Sequence, residues 1–273
     1  KKARQFFESL ADEVVAAGAL EEAELIKIFN NTYRDASFAI ANTFNQIAQS
    51  FNVDGLAVID KANYNYARSL IPKPGFVAGP CLEKDAYILS SNMPDGDLKD
   101  FLLSIRKANE NLEVELADYI KSIFVNHEHA KILITGIAFK GVPQTNDLRG
   151  SSALKVLHQL SEYADQITIH DFMNSKEELI KAINMNSISP DEIFEKNSVS
   201  YDYIFILNNN PQYKGLRMLE FISGSTSTDD QISKGRENML ALLQSRPEPG
   251  SLSAFVSWWW PLTIGAGQAL VQT

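Results

Sequence analysis

Cysteine is the scarcest resource in this chain. There is one, Cys81, in 273 residues, which excludes an internal disulfide and fits a reducing, cytoplasmic setting. An excess of positive charge is missing too: 25 Lys and Arg face 34 Asp and Glu, a net charge of −9. Nucleic-acid binding needs clustered cations, so no such partner is expected. A nucleotide-binding P-loop is absent. Gly136 and Gly141 have the opening spacing, but Val142 stands where lysine is required, and Lys140 precedes the glycine. His127 and His129 have no further ligand at metal spacing, so no metal site is expected and solvated surface is the reading. The sequon Asn30-Asn31-Thr32 falls inside a helical pattern, which argues against glycosylation. The chain opens KKARQFFESL, with neither Met nor an apolar leader, and is expected to be a piece of something longer. Residues 251–273 carry no charge and have the length of a membrane span, but Pro261, Gly265 and Gly267 dilute the run and membrane attachment is not expected.

What is present is an ordinary globular balance, 45% hydrophobic and 22% charged. Residues 2–10 read as the end of an amphipathic helix, and EVVAAG as a short strand. From 21 to 51 there is no Pro or Gly, and Leu25, Ile28, Phe29, Phe38, Ile40, Phe44 and Ile47 recur at three- and four-residue steps. A helix that long is expected to cross a domain or subunit boundary. A second helix, 54–69, follows the capping signal Asn52–Asp54. IPKPGFVAGP must be loop, and helical patterning returns after Cys81. The style then changes. KILITGIAF, QITIHDF and YDYIFILNNN read as strands, with SSALKVLHQL a serine-capped helix between the first two. That alternation predicts a parallel sheet with crossover helices and ligands at the carboxyl ends of its strands. The fold class is therefore α/β, a helical region followed by a Rossmann-like parallel sheet.

Two constellations carry chemistry. Cys81 follows a rigid turn and begins a helical segment, with Lys84 one turn on and Asp85 four residues on. A thiolate needs nearby cations or a helix N-terminus, so this pattern fits an activated nucleophile with a carboxylate for water chemistry; it also fits an ordinary helix start. In the long helix, Lys27 and Asn31 share one face at i, i+4 spacing. Together they could hold an oxyanion, or simply be solvated.

Three segments in order resemble the UDP-glucose/GDP-mannose dehydrogenase family. AELIKIFNNTYRDASFAIANTFNQIA resembles its central dimerisation helix, and PGFVAGPCLEKD its catalytic-cysteine loop. ILITGIAFKGVPQTNDLRGSSALKVL, with YIFILNNNPQYK after it, resembles its C-terminal nucleotide-sugar domain. The resemblance covers roughly residues 1–220 and implies a division into 1–17, a remnant of an NAD-binding Rossmann domain; 18–125, a helical central domain; and 126–222, a nucleotide-sugar domain. Residues 223–273 receive no function.

The resemblance implies NAD-dependent, two-step oxidation of the C6 alcohol of a UDP-glucose-like nucleotide sugar to the acid, for polysaccharide precursors. It gives Cys81 the role of nucleophile, passing through a thiohemiacetal and a thioester. Lys27 and Asn31 would stabilise oxyanions, and Asp85 would orient or activate water. Ile71, Pro72, Lys73, Pro74, Gly75 and Ala78 would wrap the substrate, with Lys140 reaching it from the C-terminal domain. Lys84 and Arg149 would contact NAD. A homodimer through 21–51 is implied. The chain departs from the family pattern at Ala78, where a glycine is usual, and its Rossmann fingerprint is not in the sequence. A catalytically incomplete module that only binds nucleotide sugar or dimerises is the alternative.

Overall fold

The computed structural model describes residues 2–68, 70–189 and 201–215. The expectations made for residues 223–273, the uncharged tail included, lie outside these. Helix α1 spans Lys2–Glu8. The expected strand EVVAAG is not one: residues 13–18 are irregular and mostly exposed. Two valines give local β propensity, but among the described residues no neighbouring strand takes up the backbone hydrogen bonds there, and an unpaired strand has nothing to stabilise it.

Helix α2 runs Leu20–Ser50, as the unbroken pattern predicts. Its buried face, however, is Thr32, Asp35, Ala39, Ala41, Asn42, Asn45 and Ala48. Phe29, Ile40, Phe44 and Ile47 are about half exposed, so the apolar stripe points outward. Helix α3, Gly55–Asn63, is capped by Asp54, which accepts from Leu56 N at 2.9 Å and Ala57 N at 3.2 Å. It is shorter than the 54–69 expected. Asn63 turns its side chain to the loop, accepting from Ile71 N and donating to Ile71 O, and Asn65 takes a left-handed φ of 54°.

Helices α4, Leu82–Ser91, and α5, Asp97–Asn126, complete the helical part. Helix α5 serves two cores. Its first half buries Arg106 and Asn109, while Leu116, Ala117, Ile120, Ile123 and Phe124 enter the core of the sheet. Burial on that scale stabilises by roughly 1.5–3 kcal/mol for each fully covered large aliphatic side chain.

The sheet is parallel, in the order β3-β2-β1-β4: β1 is Ile132–Thr135, β2 Ile167–His170, β3 Asn186–Ser187 and β4 Tyr203–Ile206. The three expected strands exist but are short. Central β1 is buried throughout, which explains its continuous apolar run. Ile132 and Ile134 face α5 and the core around α6, Ser152–Gln159, whereas Leu133 faces Tyr213. Helix α7, Lys176–Ile183, was not expected, although SKEE carries a capping box, Ser175 with Glu178. Strand order reverses between β1 and β4, so the switch-point crevice lies beyond Thr135 and Ile206. Among the described residues no helix is long and apolar enough to cross a membrane.

Candidate active site

Cys81 occupies the N-terminal boundary of α4 and is half-buried. Its carbonyl accepts from Asp85 N at 3.0 Å and Lys84 N at 3.3 Å, so the helix begins at the thiol residue itself. The unpaired N–H groups of a helix start favour negative charge nearby. One turn later Asp85 is buried between two donors. Lys84 Nζ donates to its Oδ1 at 2.8 Å and Asn31 Nδ2 to its Oδ2 at 2.6 Å. Burial pushes the Asp85 carboxyl up, but the Lys84 and Asn31 hydrogen bonds and the Lys84 and Lys27 charges outweigh it, and the net shift is downward. The Lys84 ammonium is in turn held charged, chiefly by its bond to Asp85.

The structure thus gathers Asn31, Lys84 and Asp85 within hydrogen-bonding distance at the start of the cysteine helix. Lys27 is exposed and reaches the cluster through its charge on Asp85. The loop before Cys81 is pinned at two points, its start and its middle, by carboxamides. Asn63 grips the N–H and C=O of Ile71 at 2.9 and 2.8 Å, and Asn42 grips those of Gly75 at 2.8 and 3.0 Å. Between them, Pro72 and Pro74 have no N–H to offer. Lys73 is exposed, Pro74 and Gly75 are buried, and Pro72 and Ala78 are half-buried.

The sheet domain closes on the loop from the other side. Gly79 N donates to Gly150 O at 2.9 Å, and Gly79, at φ +102°, presses so close to Phe139 that an added Cβ would meet the ring at 2.9 Å. Lys140 sits 5.1 Å over the face of that same ring. Lys155 on α6 bridges Glu83 on α4 at 2.9 Å and Glu113 on α5 at 3.4 Å, and Ser152 donates to Glu113 at 2.6 Å. Glu113 is pushed up by burial, offset in part by Ser152 and Lys155.

Arg149 is 78% exposed and folds back on Asp147, bonding it through Nη2 at 2.7 Å. The side-chain and backbone bonds from Arg149 hold Asp147 down at about 2. Lys84 and Arg149, the two residues assigned to NAD, are therefore each committed to a carboxylate of this chain. Both side chains are also exposed, Lys84 by 55% and Arg149 by 78%, so their charges face solvent as well as these carboxylates. Sequence reasoning missed Asp35, Asn42, Asn63, Arg106, Asn109 and Phe139. A signal existed for some of them: Thr32, Asp35, Asn42 and Asn45 recur at helical spacing, but beside an apolar stripe a polar stripe reads as the wet face.

Comparison with known proteins decides the family. The model for the central domain of the UDP-glucose/GDP-mannose dehydrogenase family matches residues 21–111, and that for its UDP-binding domain matches 133–229. The chain belongs to this family. It is 26% identical over 239 residues to the UDP-N-acetyl-D-mannosamine dehydrogenase of Methanocaldococcus jannaschii, covering 87% of this chain and 52% of that protein. It is 26% identical to the UDP-N-acetyl-D-glucosamine 6-dehydrogenase of Salmonella typhi, covering 77% and 50%. Among solved structures, the UDP-D-ManNAc dehydrogenase of Pyrococcus horikoshii superposes with a TM-score of 0.59 at 27% identity, covering 73% of this chain and 44% of that one. The UDP-glucose dehydrogenase of Pyrobaculum islandicum gives 0.60 at 20% identity, over 80% and 51%, a likeness of fold alone. The chain spans about half the length of these curated relatives. Its helical part and parallel sheet are the architecture of a nucleotide-sugar dehydrogenase.

Proposed function

We propose that this chain supplies the thiol half of a nucleotide-sugar 6-dehydrogenase, with Cys81 as the nucleophile. The observation that carries the reading is the cluster at the start of α4: Cys81 one turn before Asp85, which is pinned by Lys84 and by Asn31 from the far helix α2. The Cys81 sulfur adds to the C6 aldehyde carbon of the sugar, and the carbonyl electron pair moves to oxygen. The resulting thiohemiacetal oxyanion is met by the Lys27 charge and the Asn31 amide. After oxidation of that carbon to a thioester, water adds, the C–S bond breaks with the electron pair returning to sulfur, and the acid leaves. Asp85, ionised and fixed, orients the water. This chain's residues serve the addition and the hydrolysis; NAD is the hydride acceptor that the family implies, and no residue here is assigned a step with it.

The substrate is a UDP sugar, held by the 71–78 loop and by Lys140. The names of the relatives favour the N-acetylhexosamine class over the UDP-glucose that the resemblance first implied. The division at 18–125 and 126–222 assigns the thiol to the helical part and the nucleotide to the sheet. The outward apolar stripe of α2 favours a homodimer through 21–51, because a half-exposed row of Phe and Ile costs less when a second copy covers it. A free thiol nucleophile needs a reducing compartment, which puts the reaction in the cytoplasm.

Titration calorimetry with UDP-N-acetylglucosamine, UDP-glucose and GDP-mannose tests binding by the chain itself. Saturable heat with a UDP sugar supports the reading. Heat with none of the three contradicts the assignment of a nucleotide-sugar site. Heat with a UDP sugar, together with a Cys81 that no sugar aldehyde shields from alkylation, favours the binding module instead.

A further inference from the structure

A buried polar network lies beneath the cysteine loop. Arg106 on α5 is 1% exposed and its counter-ion Asp35 on α2 is 0% exposed. One nitrogen of the guanidinium, Nη1, donates both to Asp35 Oδ1 at 2.6 Å and to the backbone carbonyl of Leu82 at 3.3 Å. Asn109, one turn along α5, donates to the same Asp35 carboxylate at 2.8 Å and to the Asp35 carbonyl at 2.9 Å. The Oδ1 of Asn109 accepts from Asn42 at 3.0 Å, and Asn42 is the residue that grips Gly75 in both directions. The two ends of the network therefore land on backbone either side of the thiol: Leu82, the next residue, and Gly75, six before it.

A buried ion pair is weak evidence for stability, because apolar side chains of similar volume often do as well or better. Its defensible use is to fix one arrangement among several. Here the arrangement fixed is the loop that carries the only cysteine.

We propose that Arg106, with Asp35 as its counter-ion, is a positioning residue for Cys81, holding the first turn of α4 against α2 while Asn42 and Asn109 hold the loop before it. The role is new to the reading of the site; its catalytic importance rests on the function proposed above, but the positioning itself does not. Helix α2 then presents three handles on one face to the cysteine segment: Asn31 to Asp85, Asp35 through Arg106 to Leu82, and Asn42 to Gly75.

Because Cys81 is the sole cysteine, alkylation by iodoacetamide reads this loop, through the access of the thiol and its ionised fraction. At a pH where thiols are fully ionised the rate reports access alone. The double variant Asp35→Asn, Arg106→Met removes the buried charge pair together and deletes the donor to Leu82; the part-exposed Glu110, 3.4 Å from Arg106 Nε, keeps the Tyr87 hydroxyl as its donor. Its melting temperature and far-UV spectrum establish that it folds. The expected result is an alkylation rate raised about threefold or more, as the loop opens more often. Arg106→Lys should return the parent rate, since one ammonium can serve both acceptors that Nη1 serves. A folded double variant with the parent rate overturns the proposal and leaves the network a packing feature.

If the double variant does not fold, Asn42→Ala reads the same quantity without touching a charge, with the same expected rise and the same overturning result. If that also fails, exchange of the Gly75 amide in the parent decides: protection equal to that of the α2 interior supports the clamp, and free exchange refutes it. Alkylation requires no turnover. A raised rate in the double variant, together with no shielding of Cys81 by a sugar aldehyde, would keep the positioning and sink the catalytic reading.

Discussion

Asn31 and Asp85, 54 positions apart in sequence, are joined by a hydrogen bond of 2.6 Å from Nδ2 to Oδ2. This bond ties the long helix to the cysteine helix. It also holds a buried carboxylate ionised that burial alone would push towards neutrality. Asn31→Ala should therefore raise the titration midpoint of Asp85. A carboxyl NMR titration of parent and variant measures it, and an unmoved midpoint would show that Lys84 suffices.

Much of this was legible in the sequence and some was not. The unbroken run 21–51 announced α2, the fully apolar KILITG announced a central strand, and the flanks of Cys81 drew attention to Lys84 and Asp85. The facing of α2 was harder to read. Its apolar stripe turns outward and its polar stripe inward, and periodicity alone cannot say which side is wet. The network through Arg106 was illegible for a related reason: a buried arginine looks like any surface arginine until its partner is placed, and Asp35 lies 71 residues away. The strand expected at EVVAAG failed because β propensity without a pairing edge decides nothing. Helix α7 could have been found, since its capping box is a local signal.

Lys155→Met should weaken the join between the helices and the sheet, and do so in a pH-dependent way. It leaves Glu113 buried with the Ser152 hydrogen bond and the Arg106 charge alone to offset burial. Glu113 is already raised by burial, so its folded form prefers the proton, and the stability it gives is present below its ordinary pKa and lost as pH rises through the folded value. Removing Lys155 raises that value further. The variant should match the parent in acid and fall behind by about 1–3 kcal/mol near neutrality. Urea unfolding at pH 4 and pH 8 checks this; a deficit of equal size at both pH values would contradict it.

Asp147 runs the other way. Its bonds from Arg149 hold it at about 2, below its ordinary 3.8, so the stability it contributes is present above 3.8 and lost as pH falls towards 2. Asp147→Asn should flatten the acid limb of a stability–pH curve in that window, because the neutral plateau drops while the stability near pH 2 stays that of the parent. An acid limb as steep as that of the parent would assign the pairing no weight in solution.

Gly141 is buried against the chain leaving β4. A Cβ there would run into the backbone of Asn209 and Asn210, and the Gly141 N–H donates to Asn209 Oδ1 at 3.0 Å. Backbone cannot yield as the end of a side chain can. Gly141→Ala should cost about 1–3 kcal/mol and lower the melting temperature. It should also weaken binding of a UDP sugar by displacing Lys140 from its place over Phe139. A variant as stable as the parent would mean that the two loops part more readily than their contact implies.

The most direct test of Cys81 as nucleophile uses the chain as it stands. Its alkylation by iodoacetamide is followed while the 6-aldehyde of a UDP sugar is titrated in, beside the unoxidised sugar as control. The account predicts saturable protection by the aldehyde, well beyond that given by the alcohol, because the sulfur is then engaged with C6. Equal protection by aldehyde and alcohol, or none by either at concentrations where calorimetry shows the sugar bound, would contradict it.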